Sequence, residues 1–146
     1  MLSNSCRYGI RAVMYLANQP VGNGKTGIKK ISKDLNLPTP FLAKILQQLA
    51  KQKILISLKG PHGGFSLLKD PKEITLLDIV KTIDGEYIFT SCIIHNDTCL
   101  NANKNKNPCA LHESYSSVRM DLIKLFSSMT IHELVQKAGK SELILI

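Results

Sequence analysis

Three of the four cysteines lie in one polar stretch, where a nearby histidine would complete a set of metal ligands. The cysteines are Cys92, Cys99 and Cys109, and His112 follows the last of them by three residues. Thiolates and imidazoles are the ligands of zinc sites and of iron–sulfur clusters. The spacing of Cys109 and His112 puts both on one side of the first turn of a helix, whose N-terminus favours a thiolate. The stretch therefore predicts a metal or redox site that is held partly by a helix.

The residues between these candidate ligands have little means of burying themselves. Residues 101–108 are NANKNKNP, which carry almost no apolar surface. We therefore divide the chain into a first domain over residues 1–85, a cysteine-containing loop over 86–109, and a C-terminal segment over 110–146. A metal centre would tie the loop to the helix that follows it.

The charge of +8 is unevenly distributed along the chain. Residues 1–81 carry 13 Lys and Arg against 4 Asp and Glu, whereas residues 82–146 carry 6 against 7. A basic half of this kind is typical of a protein that binds a polyanion, and double-stranded DNA is the first candidate. A solvated basic face is the simpler alternative.

Two predicted helices with a tight break between them indicate a helix-turn-helix. The first extends from about Ile28 to Leu35, and the second from Thr39, as N-cap, to about Lys51, with Pro40 in its first turn. Strand-like runs at 54–58 and 65–68, joined by a glycine-rich loop, then form a wing. We predict a mainly α fold with a small β-hairpin wing: a winged helix-turn-helix followed by a long C-terminal dimerisation helix.

The second of these helices carries the side chains expected to contact bases. The start of a recognition helix faces the major groove, where Lys44 can donate to guanine, Gln47 can pair with adenine, and Phe41 can touch a thymine methyl group. The wing and the first helix of the chain, near Ser5 to Asn18, are expected to contact the backbone. The predicted DNA contacts are Arg7, Arg11, Thr39, Phe41, Lys44, Gln47, Gln48, Lys59, His62 and Gly63, each with an ordinary exposed side chain as its alternative.

Apolar residues recur after the cysteine loop at alternating spacings of four and three. This heptad pattern favours a partner helix, most simply in a two-fold homodimer. Packing of the same face within the chain is the alternative. The residues of this stripe, hereafter the seam, are Leu111, Tyr115, Val118, Leu122, Leu125 and Met129.

Several motifs occur in an order that resembles one family of regulators. They are the run from Ile28 to Gly64, the opening CRYGIRAVMYLA, the wing KGPHGGF, the CALH at 109–112 and the TIHELV at 130–135. Together they resemble the winged-helix regulators typified by IscR, NsrR and CymR, over nearly the whole chain. The resemblance implies a homodimeric bacterial transcription factor with the long helix at the dimer interface.

The same resemblance implies a cofactor. In cluster-binding members the cysteines of this loop hold an iron–sulfur cluster, and IscR-like members add a histidine as the fourth ligand. That set carries over onto Cys92, Cys99, Cys109 and His112, with a [2Fe–2S] cluster favoured over [4Fe–4S]. Arg7 stands where NsrR-like members place a carboxylate ligand. Ala43 stands where IscR-like recognition helices carry an acidic side chain, so a different operator is expected.

Other interpretations of the cysteines stay open. Zinc suits three cysteines and one histidine, although tightly spaced cysteine pairs are absent. A second alternative is a metal-free regulator that is controlled by thiol oxidation or by a partner protein. A third is an iron–sulfur carrier that does not bind DNA. The carrier would not need a basic winged half. Cys6 is expected to be a small buried residue rather than a ligand.

The sequence argues against an enzyme and against a membrane protein. His132-Glu133 begins an H-E-x-x-H pattern, but Gln136 stands where the second histidine belongs. Apolar runs fall short of the roughly 18 residues that a membrane helix needs. Clustered cysteines outside a secreted context suit the reducing cytoplasm, which is the expected location.

Overall fold

The structure, a computed structural model, describes residues 2–20, 24–94 and 110–142. Cys99, Cys109 and most of the cysteine loop lie outside these residues, as does the apolar end 143–146. The described parts contain seven helices and one two-stranded sheet. The elements are α1 (Asn4–Ala17), α2 (Ile28–Leu35), α3 (Thr39–Lys51), β1 (Leu55–Leu58), β2 (Gly64–Leu67), α4 (Leu76–Ile83), α5 (Tyr87–Thr90), α6 (His112–Ser128) and α7 (Ile131–Glu142).

The helix-turn-helix of α2 and α3 packs on α1, which is largely buried and also contacts α4 and α7. The apolar stripe of α3 is fully inside the core and consists of Leu42, Ile45, Leu46 and Leu49. Asn36 ends α2 in the left-handed conformation, with φ of 52°. This conformation lets the chain turn sharply into α3. The N-cap of α3 is Pro38 rather than Thr39, which is already the first helical residue.

The hairpin β1–β2 forms the predicted wing. The strands are antiparallel, with Leu55 opposite Leu67 and Leu58 opposite Gly64. Thr26, just before α2, adds two backbone hydrogen bonds of 2.9 Å to Phe65. A Cβ atom at Gly64 would lie 2.3 Å from the Thr26 carbonyl oxygen, and its φ is +146°. Glycine is therefore required there, and the wing is fixed to the start of α2.

Helix α4 packs between the recognition helix α3 and the long helix α6. It starts with a capping box in which Thr75 and Asp78 each accept a hydrogen bond from the other's backbone amide. Its C-cap, Asp84, accepts hydrogen bonds from the amide and hydroxyl of Ser3 at the start of α1. The end of α4 and the start of α1 are thereby held together.

Helix α6 packs on α4 and α5 through a small apolar cluster. The Phe89 and Phe126 rings meet edge to face, with centroids 5.9 Å apart. Cys6 and Val80 complete this cluster as fully buried residues. A second capping box, between Thr130 and Glu133, begins α7 as the sequence predicts. Across the described ranges, none of the helices is long and apolar enough to cross a membrane.

Candidate DNA-binding surface and metal site

The exposed face of α3 carries three of the predicted base contacts. Phe41, Lys44 and Gln47 recur at three-residue spacing, opposite the buried stripe of the same helix. Phe41 is 66% exposed, so most of its large apolar side chain faces solvent and not the core. We call these three residues the reading face. They present one aromatic group, one cation and one amide, which suit a thymine methyl group, a guanine or phosphate, and an adenine.

Two predicted DNA contacts, Arg11 on α1 and Thr39 on α3, have partners inside the protein. Arg11 Nη2 donates to the Leu35 carbonyl oxygen over 3.0 Å, at the end of α2. The Thr39 hydroxyl lies 2.7 Å from the hydroxyl of the buried Ser32. These side chains join α1 to α2 and α2 to α3. Both side chains therefore help to position the helices, and their role as DNA contacts stays a prediction.

Two further predicted contacts, Gln48 and Gly63, are also engaged internally. Gln48 Nε2 donates to the Thr82 carbonyl oxygen over 2.6 Å, so this side chain faces α4 rather than the reading face. The Gly63 amide donates to the Gly60 carbonyl oxygen over 2.9 Å and closes the turn of the wing. A Cβ atom at Gly63 would lie 2.1 Å from the Leu58 carbonyl oxygen, so a side chain cannot be accommodated there.

Basic side chains are also exposed on elements that contact α3, namely α1, α2 and the wing. The predicted contacts Arg7, Lys59 and His62 are exposed on α1 and the wing. An open cleft of about 450 Å³ separates the wing from the start of α2, and Lys29 lines it together with Leu58 and Pro61. Lys29, with its exposed neighbours Lys30 and Lys33, is missing from the predicted contacts. The run of lysines along α2 is the sequence signal that would have found them.

Two of the four predicted metal ligands lie in the described residues, Cys92 and His112. Cys92 is buried directly after α5, and His112 is the first residue of α6. His112 Nδ1 is buried and has no hydrogen-bond partner among the described residues. Within the same residues no three His, Cys, Asp or Glu side chains form a complete metal-binding group. Cys99 and Cys109, which would complete the set, lie outside them.

The start of the cysteine loop is fastened to α6 by Arg119. Its Nη2 atom donates to the Ser91 carbonyl oxygen over 2.8 Å. The guanidinium carbon also lies 4.8 Å from the centroid of the Tyr115 ring, within cation–π range. Ser91 directly precedes Cys92, so this contact positions the backbone at one predicted ligand.

Cys6 is fully buried beneath α6, in the apolar cluster of Phe89 and Phe126, as the sequence predicts. Burial raises the pKa of its thiol to about 12, with a further contribution from the Asp84 carboxylate. A thiol in this state is protonated at neutral pH and unsuited to binding a metal.

The seam on α6 is divided between two environments. Tyr115, Leu122 and Met129 are half-buried, and Leu122 packs on the Phe89–Phe126 cluster. Leu111, Val118 and Leu125, spaced by seven residues, are exposed. The exposed residues form an apolar stripe along the edge of the helix that faces away from the chain's own core.

A winged helix-turn-helix with an exposed, basic reading face defines a DNA-binding transcriptional regulator. The sequence profile of the Rrf2 family, described as "Iron-dependent Transcriptional regulator", matches residues 2–137. The chain therefore belongs to the Rrf2 family, whose members are regulators and not enzymes.

Curated relatives agree with this assignment. A protein of Aquifex aeolicus, provisionally named an HTH-type transcriptional regulator, is 32% identical over 135 residues, which cover 92% of this chain and 91% of that protein. The regulator NsrR of Halalkalibacterium halodurans is 24% identical, over 99% of this chain and 96% of its own length.

Solved structures share the fold. The structure of CymR, described as the global cysteine regulator of B. subtilis, superposes with a TM-score of 0.76 at 23% identity, covering 95% of this chain and 98% of that one. T. potens IscR superposes with a TM-score of 0.69 at 22% identity, covering 95% and 88%. The predicted winged-helix fold is confirmed.

Proposed function

We propose that this regulator binds double-stranded DNA as a homodimer and holds an iron–sulfur cluster, [2Fe–2S] in preference to [4Fe–4S]. The ligands would be Cys92, Cys99, Cys109 and His112. The cluster would supply redox- and nitric oxide-reactive iron, and its state would control DNA binding in response to iron–sulfur status, nitric oxide or redox state.

The unpaired Nδ1 atom of His112 is the observation that carries this proposal. Buried polar atoms in folded proteins almost always have a hydrogen-bond partner. Here a buried imidazole nitrogen has none among the described residues, and it lies at the helix start that follows Cys109. An imidazole with an available nitrogen is a suitable iron ligand beside thiolates. The iron dependence named for the family supports iron over zinc.

The chain's own packing suggests how a bound cluster would act on DNA binding. Cys92 follows α5, whereas His112 begins α6, and both helices pack near α4. Ligation would fix the start of the loop relative to α6. Because α4 also contacts α3, the orientation of α6 bears on the position of the reading face. In a dimer, the distance between two reading faces must match two half-sites of an operator.

On the DNA side, the reading face would contact base edges in the major groove. Arg7, Lys59, His62 and the lysines of α2 would contact phosphates. The exposed stripe of Leu111, Val118 and Leu125 would form the dimer contact, with the second copy covering apolar surface that the single chain leaves in water.

Anaerobic purification tests the cofactor directly. We expect iron and acid-labile sulfide to co-purify with the protein, with Mössbauer and visible absorption spectra of a cluster. His112→Ala should change the visible spectrum because one ligand is lost, whereas His132→Ala, which removes a histidine from α7, should not. If zinc co-purifies in stoichiometric amount and sulfide is absent, the site binds zinc and not an iron–sulfur cluster. Protein with neither metal, whose DNA binding changes on thiol oxidation, would favour the metal-free regulator.

The regulatory part is tested on an operator selected from random duplexes. Cluster-loaded and metal-free protein are compared for affinity at several salt concentrations, because the salt slope reports the number of phosphate contacts. We expect the two forms to differ in affinity or in slope. Equal affinity with equal slope would contradict sensing through the cluster.

A further inference from the structure

One hydrogen bond connects the first predicted metal ligand to the helix that carries the last one. Arg119 Nη2 donates to the carbonyl oxygen of Ser91, the C-cap of α5, over 2.8 Å. The two residues are 28 positions apart in the chain, and all four predicted ligands lie between them. Cys92 is the next residue along the backbone, and its side chain is buried.

The guanidinium group is itself held in place. Its carbon lies 4.8 Å from the centroid of the Tyr115 ring, one helical turn earlier on α6. A planar cation over an aromatic face keeps a defined orientation. Arg119 therefore presents a fixed donor to Ser91 rather than a freely rotating one.

Helical geometry sets the relation between Arg119 and His112. They are seven residues apart, which is two turns of an α-helix, or roughly 10 Å along its axis. At this spacing the two side chains leave the helix on nearly the same face. The buried Nδ1 of His112 and the donor that holds Ser91 are thus two groups on one rigid element.

We infer that Arg119 is a positioning residue for the metal site, which fixes the backbone of Cys92 at a set distance from His112 before any metal binds. This inference rests on the proposed function. Cluster binding would then find Cys92 and His112 already at a set distance, so it would have less of the backbone to fix. A lower ordering cost should give slower cluster loss.

Two measurements test the inference on the full-length protein. The first is hydrogen–deuterium exchange of metal-free protein over residues 88–94, which reports local opening of the backbone around Ser91. The second is the rate at which anaerobically loaded protein loses its cluster to a chelator, followed by visible absorption. The variants are Arg119→Ala and Arg119→Lys. Lys124→Ala is the matched control, because it removes an exposed cation from the same helix.

Arg119→Ala should speed exchange over residues 88–94 and should speed cluster loss by roughly tenfold, the lower end of the effect of removing a group that orients metal ligands. Arg119→Lys keeps the positive charge but loses the planar group over Tyr115, so it should restore retention only in part. Lys124→Ala should match the wild type in both measurements.

Faster exchange with unchanged cluster loss would overturn the inference, because the contact would then serve the fold alone. Equal behaviour of Arg119→Ala and Lys124→Ala would also overturn it, while leaving the cluster proposal intact. A wild type that takes up no cluster would overturn the proposed function and the inference with it. Thermal unfolding of metal-free Arg119→Ala shows whether its faster exchange is confined to residues 88–94 or global, and a global effect counts against positioning.

Discussion

Helices α3 and α6 are both amphipathic, but they satisfy their apolar faces differently. The stripe of α3 is fully buried within the chain, and its exposed side is left for the reading face. Of the residues in α6, Phe126 is buried, whereas Val118 and Leu125 are 59% and 50% exposed. The apolar face of α3 is thus covered within one copy of the chain, whereas that of α6 is left partly exposed. A similar apolar periodicity therefore supports the fold in one region and, we propose, assembly in the other.

The largest expected effect comes from breaking the exposed part of the seam. Val118→Asp combined with Leu125→Asp should give a monomer, because two carboxylates would have to be buried against the second copy. Operator affinity should fall by about 100-fold or more, the gain that linking two binding modules usually provides. Analytical ultracentrifugation and DNA titration measure the two effects.

Met120→Asp is the control for this variant, since Met120 is 64% exposed on the opposite side of α6. It should remain dimeric with normal affinity. Leu122 is left unchanged, because it packs on the chain's own apolar cluster and its replacement by Asp would also destabilise the fold. If the double variant stays dimeric, the seam is not part of the dimer interface.

A substitution in the buried stripe of α3 should instead lower the stability of the fold. Leu46 is completely buried, so Leu46→Ala should lower the free energy of unfolding by about 2–5 kcal/mol through lost burial and a residual cavity. Met120→Ala on α6 should change it by less than about 0.5 kcal/mol. Chemical denaturation at fixed protein concentration makes the comparison. Similar values for both variants would contradict the contrast between the helices.

Loss of Lys44 should affect DNA binding without affecting assembly. Lys44→Ala should reduce the salt slope by about one unit if this side chain contacts a phosphate. Lys124→Ala, which removes the same charge from α6, should leave the slope unchanged. An unchanged slope together with an altered base preference would reassign Lys44 to base recognition.

The smallest effect concerns pH. The pKa of the Cys6 thiol is about 12 in the folded protein, well above the roughly 8.5 of an unfolded cysteine. The folded state therefore keeps a proton that the unfolded state loses, so stability declines as pH rises from about 9 towards 12. Denaturation from pH 7 to 10 should show a weaker decline for Cys6→Ala than for the wild type. Parallel curves would contradict the raised pKa.

Local signals made much of the fold predictable. The α2–α3 boundary follows from Asn36-Leu37-Pro38, and the start of α4 follows from Thr75 and Asp78, which cap within one turn. The wing follows from its glycines and strand-like flanks. The seam residues were also found by spacing, but spacing alone does not say which of them the chain's own core would half-bury.

Side-chain partners far apart in sequence were not predictable. The spacing of Gln48 on α3 is compatible with a base contact, and its bond to Thr82 depends on how α4 packs. Arg11 has the charge of a phosphate contact, yet it donates to the end of α2. The contact of Arg119 with Ser91 spans a loop that carries no pairing signal. The hydrogen-bond partners of polar side chains in the site depend on tertiary packing, and a single sequence does not predict them.

The position of α4 has a consequence for genetics. Its eight residues pack against both α3 and α6, and Gln48 bonds to its Thr82 carbonyl. If a cluster controls DNA binding as we propose, substitutions that lock the regulator in one form should concentrate on the two faces of α4. On the proposed function, second-site suppressors of defective sensing should arise there as well, in residues that are neither DNA contacts nor metal ligands of the proposal.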